Sequence, residues 1–384
     1  MNFPGRLPTT LTILPTYNCT AACENCCFGS HPGIEQRIPL ARILDYIDQA
    51  AEMKSVRLLV FSGGECFTLG EELVIAIAHA TVRGIAARCV TNGYWATSDE
   101  RAHERLEPLR RAGLRELNIS TGDYHQQFVK PSKVVTGAIA AVRLGMKVVV
   151  VVESRKGRGF TAEHLYSDDR FAALAANSKN SNLISVIESP WISMQQADAV
   201  EHASLALTNK ANLHTKKGCD SVLNTIVVTP SEQLGACCGL TREQIPEMHV
   251  GSLRDTSLQE LFQKAVQDFL KIWIFVEGPE QILAWAAAKD KGIDWENKYS
   301  HHCDACRALY ADEKVRRVIR EHYHEKKEDI LLRFALLNNF GDYSNDEPPR
   351  KLVTIAPRTA RSQKVMSAGA GGLTTNTAAA DHPA

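Results

Sequence analysis

The chain has 384 residues, 44 basic and 44 acidic side chains, a formal net charge of zero and 11 cysteines. Its length allows two or three domains with a large core, and its balanced charge gives no argument for a nucleic-acid partner or a membrane surface. No stretch approaches the ~20 apolar residues of a membrane span, and MNFPGRLPTTLTILPTYN lacks a secretory layout, so a cytoplasmic protein is expected. From residue 10 to 190, short β-branched runs alternate with helical stretches. The composition predicts strands at 11–16, 56–63, 87–93, 116–121, 147–154 and 182–189. Helices are expected near 39–53, 70–83, 98–112, 131–145 and 161–176, opened by signals such as Pro39 and Ser98-Asp99-Glu100 and stopped by Gly84, Gly113 and Gly145. The unbroken valines 148 to 152 read as a strand buried on both faces. Such alternation implies parallel β/α units, as an open sheet or a partial barrel, with function at the C-terminal strand ends. All the polar, glycine-containing motifs fall on that rim: YNCTAACENCC after the first strand, FSGGE after the second, VTNG, STGD and VESRK after the next three.

Beyond residue 215 the pattern changes. NTIVVTPSEQLGACC (224–238) reads as two short strands around Pro230-Ser231-Glu232. An apolar helical stretch (257–276), a Trp-rich segment, HHCDAC (301–306) and a charged helix near 311–338 follow. Residues 346–384 contain no aromatic side chain and are expected to be disordered.

In a reducing compartment, clustered thiols bind metal or act catalytically more often than they form structural disulfides. Cys19, Cys23 and Cys26 are spaced C-x3-C-x2-C, with Cys27 next in the chain. A four-iron cluster takes one cysteine per iron, so three thiols leave one iron open, which is what a metal needs to engage a substrate. The spacing alone would also suit zinc, with a fourth ligand nearby.

The three cysteines after a first strand, together with Gly63-Gly64-Glu65 after the second, resemble the radical S-adenosylmethionine (radical SAM) superfamily. The resemblance covers roughly residues 10 to 195 and implies an α/β fold, a partial (β/α)6 barrel. It implies that Cys19, Cys23 and Cys26 ligate a [4Fe-4S] cluster whose open iron binds S-adenosylmethionine. One electron then cleaves SAM to a 5′-deoxyadenosyl radical that abstracts hydrogen from substrate. Gly63, Gly64 and Glu65 would meet the SAM amino group, since glycines admit close backbone approach and a carboxylate favours an ammonium. Ser120 and Glu153 or Arg155 sit where the family places contacts to ribose and the methionyl carboxylate. Asn92 in TNG is the ordinary turn-former. The chain departs from the family twice: Asn25 stands where an aromatic residue is common, and Cys66 where proline usually follows GGE. Cys66 has two readings, a small buried core residue or a thiol at the active rim that returns a hydrogen atom to substrate.

Cys219, Cys237, Cys238, Cys303 and Cys306 form a second group. Chemistry alone leaves a zinc ribbon open. The hairpin, VGSLRDTSLQELF and CDAC resemble the auxiliary-cluster region of SPASM and twitch radical SAM proteins. That pattern has Gly-x4-Cys; Glu232 stands at the glycine position and points to Cys237 as ligand, with Cys238 the alternative. The resemblance implies one auxiliary [4Fe-4S] cluster on Cys219, Cys237, Cys303 and Cys306. Of the remaining candidates, Asp123, Tyr124 and His125 read as a helix cap and surface groups. His301 and His302 read as neighbours of the cluster, and Trp273, Trp285 and Trp295 as packing residues.

The expected organisation is a barrel over 8–200, an auxiliary domain of β-hairpin and helices over 215–310, a closing helix over 311–340 and a tail over 346–384. The expected function is radical chemistry on a ribosomally made precursor peptide by cross-linking, epimerisation or oxidation, with an external electron donor. With the cluster loop starting at residue 19, a leader peptide would need a separate binder or direct capture. Two alternatives stay open: a radical SAM dehydrogenase or mutase of a small molecule such as a carbohydrate, and a non-catalytic zinc-binding adaptor.

Overall fold

The computed structural model describes residues 6–180, 182–194 and 200–340; the expected disordered tail lies outside the described residues. The first half runs β1 (Thr10–Ile13), α1 (Leu40–Glu52), β2 (Leu58–Phe61), α2 (Glu71–Val82), β3 (Ala86–Thr91), α3 (Asp99–Ala112) and β4 (Leu114–Thr121). It continues with α4 (Asp123–Gln126), α5 (Pro131–Arg143), β5 (Lys147–Ser154), α6 (Ala162–Tyr166), α7 (Asp169–Ala176) and β6 (Ile184–Pro190). Apolar spacing selects the buried face of each helix: α1 hides Ile43, Tyr46, Ile47 and Ala50, an i, i+3, i+4, i+7 stripe. Caps fix the ends. Ser98 accepts a bond from the Arg101 amide at the start of α3, and Pro131 opens α5.

Strands β1 to β6 pair in parallel in sequence order, and the sheet does not close on itself. This is the partial barrel that the family resemblance implied; the alternating pattern alone had left an open sheet as well. On β5 the outcome is finer than expected. Val148, Val150 and Val152 are buried, whereas Val149 and Val151 are only half-buried, and Val151 borders an internal cavity. The second face of this strand therefore looks onto the site and not onto packed core.

The second half contributes β7 (Thr225–Val228), β8 (Gln233–Gly235) and β9 (His249–Ser252). Strand β7 pairs in parallel with β1, Thr10 opposite Thr225 through Ile13 opposite Val228, and β8 and β9 follow antiparallel. The hairpin thus extends the barrel sheet to nine strands, in the order β6-β5-β4-β3-β2-β1-β7-β8-β9. Helices α8 (Leu258–Ala265), α9 (Phe269–Glu277), α10 (Pro279–Lys289), α11 (His302–Ala311), α12 (Glu313–His322) and α13 (His324–Phe340) complete the described chain. Trp273 is fully buried among them and meets Trp285 edge-on at 4.9 Å.

Two of the stretches expected as single helices, 161–176 and 257–276, are reset at an aspartate, and a third aspartate opens the closing helix, which breaks again at Tyr323. Asp168 accepts from the amides of Arg170 and Phe171, Asp268 from Leu270 and Lys271, and Asp312 from Lys314 and Val315. Each carboxylate satisfies the free amides of a new helix start, which outweighs continuing the previous helix.

Candidate active site

The cysteine loop is shaped by its own backbone. The Cys19 amide donates to the His31 carbonyl at 3.3 Å, and the Cys26 amide to the Cys23 carbonyl at 3.2 Å. Between them Asn25 adopts a left-handed φ of 57°, a conformation asparagine tolerates far better than an aromatic residue. Its Oδ1 accepts from the Met194 amide at 2.9 Å.

The glycine pair locks this loop to β2. The amides of Gly64 and Glu65 donate to the carbonyls of Thr16 and Asn18, both at 2.9 Å. A Cβ on Gly64 would lie 2.2 Å from the Asn18 oxygen and 2.5 Å from that of Tyr17. Close approach is needed there, but the group admitted is the cysteine loop itself.

A cavity of about 370 Å³ opens at this rim, bordered by Cys19, Cys23, Cys26 and Cys27, by Gly63 and Gly64, and by Asn92, Ser120 and Glu153. His125, Trp191, Cys238, Gly239 and Leu240 also line it. Strands β1 to β5 each deliver a loop or a side chain, as parallel strands with a common C-terminal edge must.

Glu153 is 4% exposed and accepts from the amides of Tyr124 at 3.0 Å and His125 at 3.1 Å, and it also bonds His125 Nδ1. A Cβ on Gly122 would lie 2.5 Å from the Glu153 side chain, so only glycine fits there. Trp191 stacks on Tyr124 at 5.5 Å and meets His125 edge-on. His125, read from the sequence as a surface group, is thus a cavity residue; its place just past β4 was the available signal.

Three of the expected site residues do not reach the cavity. The Glu65 carboxylate, expected beside an ammonium, is 1% exposed and turned inward. It accepts from Phe67 N–H at 3.0 Å, Thr91 Oγ1 at 2.9 Å and Asn92 N–H at 2.9 Å. Burial raises its pKa to about 7, against the pull of those donors. Cys66, expected as a rim thiol, is fully buried and donates to the Val90 carbonyl at 3.3 Å. The one-turn 3₁₀ helix that begins at Cys66 carries it into the core, which is the small-buried-residue reading. Arg155 pairs with Asp123 at 2.8 Å and lies over the Tyr124 ring, so its guanidinium is engaged behind the wall.

The three loop thiols suit an iron–sulfur cluster by their chemistry. Burial raises Cys19 to about 11 and Cys23 to about 12, with the neighbouring cysteines adding to the rise. Such thiols keep their protons until a strongly positive partner draws them off, and a metal cluster is such a partner. Their shared cavity leaves room on the open side for a further ligand.

The second group divides. A Cβ on Gly239 would stand 3.1 Å from Cys303 Sγ and 3.5 Å from Cys237 Sγ, so these two sulfurs flank one glycine. The Cys306 thiol is pushed up by burial and then by Cys237, Cys219 and Cys303, and Cys238 also adds to the rise of Cys237 and Cys303. The Leu240 amide donates to Cys303 Sγ at 3.3 Å. Cys238 instead faces the cavity, near Thr12 and Arg242. His301 caps α11 through the Cys303 amide, and His302 pairs with the buried Glu280 at 2.7 Å. Among the described residues no three His, Cys, Asp or Glu side chains are drawn together tightly enough for a single metal ion. Nor is any described helix long and apolar enough to cross a membrane.

Residues 13–165, which carry the cysteine loop, the glycine pair and β1 to β5, match the family model of the radical SAM superfamily. This stretch of the chain is a radical SAM domain. The chain is similar to the putative peptide biosynthesis protein YydG of Bacillus subtilis (strain 168), 27% identical over 125 residues, 33% of this chain and 39% of that protein. Of solved structures, it is similar to Streptococcus suis SuiB bound to S-adenosylmethionine, with a TM-score of 0.47 and 13% identity, covering 70% of this chain and 66% of that one. BtrN in complex with AdoMet and 2-DOIA gives a TM-score of 0.40 at 13% identity, covering 72% and 89%. The chain spans less than two thirds of YydG and of SuiB. The family carries a [4Fe-4S] cluster and SAM, so a non-catalytic zinc adaptor is no longer the reading.

Proposed function

We propose that this radical SAM enzyme alters a residue of a ribosomally made peptide by removing a hydrogen atom and returning another from Cys238. One observation carries the reading: a single cavity is bordered by Cys19, Cys23 and Cys26 and also by Cys238. The similarity to a protein named for peptide biosynthesis supports the substrate class.

Cys19, Cys23 and Cys26 would hold the cluster, with Gly63, Gly64, Ser120 and Glu153 forming the wall against which SAM lies. Bound there, cluster and SAM supply hydrogen-atom abstraction. The remaining work belongs to the chain. Glu153, held by two amides and His125, keeps a fixed acceptor in the wall. Cys238 offers an S–H bond to a substrate carbon that has lost its own hydrogen. One C–H bond forms, one S–H bond breaks, and the sulfur is left short of one electron and one proton. The external donor and solvent restore these. Cys237, next in the chain, belongs to the set proposed to hold an auxiliary [4Fe-4S] cluster with Cys219, Cys303 and Cys306.

Return of a hydrogen atom to the opposite face is epimerisation, and it draws the new hydrogen from an exchangeable thiol. Co-expression with a candidate peptide in D2O should give an inverted residue with one added deuterium. Cys238→Ala should still consume SAM but leave no inverted residue, whereas Cys66→Ala, altering only the core, should still invert. A product short of two hydrogens would replace epimerisation with cross-linking or oxidation, and unchanged deuterium uptake in Cys238→Ala would remove Cys238 as the donor.

A further inference from the structure

A buried asparagine at the rim is held in one orientation. Asn92 is 6% exposed. Its main-chain amide donates to Glu65 Oε2 at 2.9 Å, and its Oδ1 accepts from the Tyr94 amide at 3.0 Å. The second bond decides which way the side-chain amide faces, since only oxygen accepts from an N–H. Nδ2 therefore points at the cysteine loop, donating to Thr20 Oγ1 at 3.1 Å and towards Cys19 Sγ at 3.7 Å, a reach suited to the large sulfur atom.

We infer that Asn92 is a positioning residue that hydrogen-bonds the Cys19 sulfur and thereby raises the reduction potential of the cluster, with Glu65 as the strut that sets it. The inference rests on the proposal that Cys19 ligates that cluster. A thiolate gains negative charge when its cluster accepts an electron, so an N–H donor at the sulfur favours the reduced form. Glu65 is rigid for the reasons already described: three donors and almost no solvent. Its carboxylate is spent on the main chain of Asn92 and not on a ligand in the cavity. The usual turn-former role accounts for the Oδ1 bond to Tyr94. It does not account for Nδ2, buried against a thiol.

The test is a potential, which packing alone would not move. Anaerobically reconstituted full-length protein is titrated electrochemically, following the electron paramagnetic resonance signal that added SAM perturbs. Asn92→Ala removes the donor without adding charge. At the wild-type midpoint, its ratio of reduced to oxidised cluster should fall about three- to tenfold. If Asn92→Ala loads little iron, Asn92→Asp, which keeps the bond to Tyr94, carries the same test and should shift the same way. A variant that loads iron and titrates like wild type overturns the inference. Persistence of the SAM-responsive signal in Cys19→Ala would instead overturn the ligand assignment on which it stands.

Discussion

The two cysteine groups are built in opposite ways. Cys19, Cys23 and Cys26 ride on one loop whose shape is fixed by backbone hydrogen bonds to His31 and to the Gly64–Glu65 turn, whatever the thiols do. Cys219, Cys237, Cys303 and Cys306 come from the segment before β7, the exit of β8 and the first turn of α11. Only a few hydrogen bonds link these segments, such as Leu223 N–H to the Ala236 carbonyl at 2.8 Å and Thr241 Oγ1 to the Cys303 carbonyl at 2.7 Å. A preformed loop can leave one coordination position to a substrate without losing its fold. A set collected from distant elements gains its order from being tied together, as structural metal sites do.

The largest effect expected from this contrast is its reversal between activity and stability. Cys23→Ala should abolish SAM cleavage while leaving the thermal midpoint close to wild type. Cys306→Ala should lower that midpoint by several degrees, at about 2–4 °C per kcal/mol for a domain of roughly 200 residues. Calorimetry on both reconstituted variants, beside a SAM-cleavage assay, checks the pair. Equal losses of stability would mean that the rim loop is also tied together by its metal.

Local signals in the sequence explain why the first group was legible and parts of the second were not. The C-x3-C-x2-C spacing lies within a single loop, and β/α alternation puts that loop on the functional edge. Nothing in the periodicity of TIVV says that it will pair with β1, because strand order is a tertiary outcome. Two thiols also stand elsewhere than the sequence suggests. Cys66 follows the glycine motif directly, but a one-turn helix buries it. Cys238 was weighed only as a substitute ligand, yet it borders the cavity of the cysteine loop, a placement set by the path of the chain after β8 and not by any local pattern.

Each region is also braced by one carboxylate, and the two should respond to pH with opposite sign. Glu65, under the cysteine loop, has its pKa raised to about 7 by burial. Its ordinary value is near 4.3. The stability it contributes is complete below that value and is lost as pH rises through about 7. Glu65→Gln keeps an acceptor for Phe67 and Thr91 but turns an NH2 towards the Asn92 amide, costing about 1–3 kcal/mol at pH 5. Urea unfolding at pH 5 and pH 8 should show a smaller difference from wild type at pH 8. A larger one there would mean that the buried carboxylate is stabilised by its charge.

Glu232 is the counterpart in the hairpin and gives the smallest effect. It stands where the auxiliary-cluster pattern has glycine, and it does adopt the left-handed φ, 58°, that glycine takes without strain. Its carboxylate offsets that strain by accepting from Tyr46 Oη at 2.6 Å and Arg42 Nε at 2.8 Å, both on α1. The Tyr46 bond first, and then Arg42, lower its pKa, so its contribution is present above the ordinary carboxylate range and fades as pH falls through the lowered value. Glu232→Gln keeps the turn and the bond to Tyr46 but loses the charge, and should cost below about 1 kcal/mol at pH 7, in the range of a partly exposed ion pair. The gap from wild type should close as the pH is lowered towards 3, the reverse of the drift expected for Glu65→Gln. A gap that stayed constant from pH 7 to pH 3 would place the hold of the hairpin on α1 in hydrogen-bond shape alone, with no share for the charge.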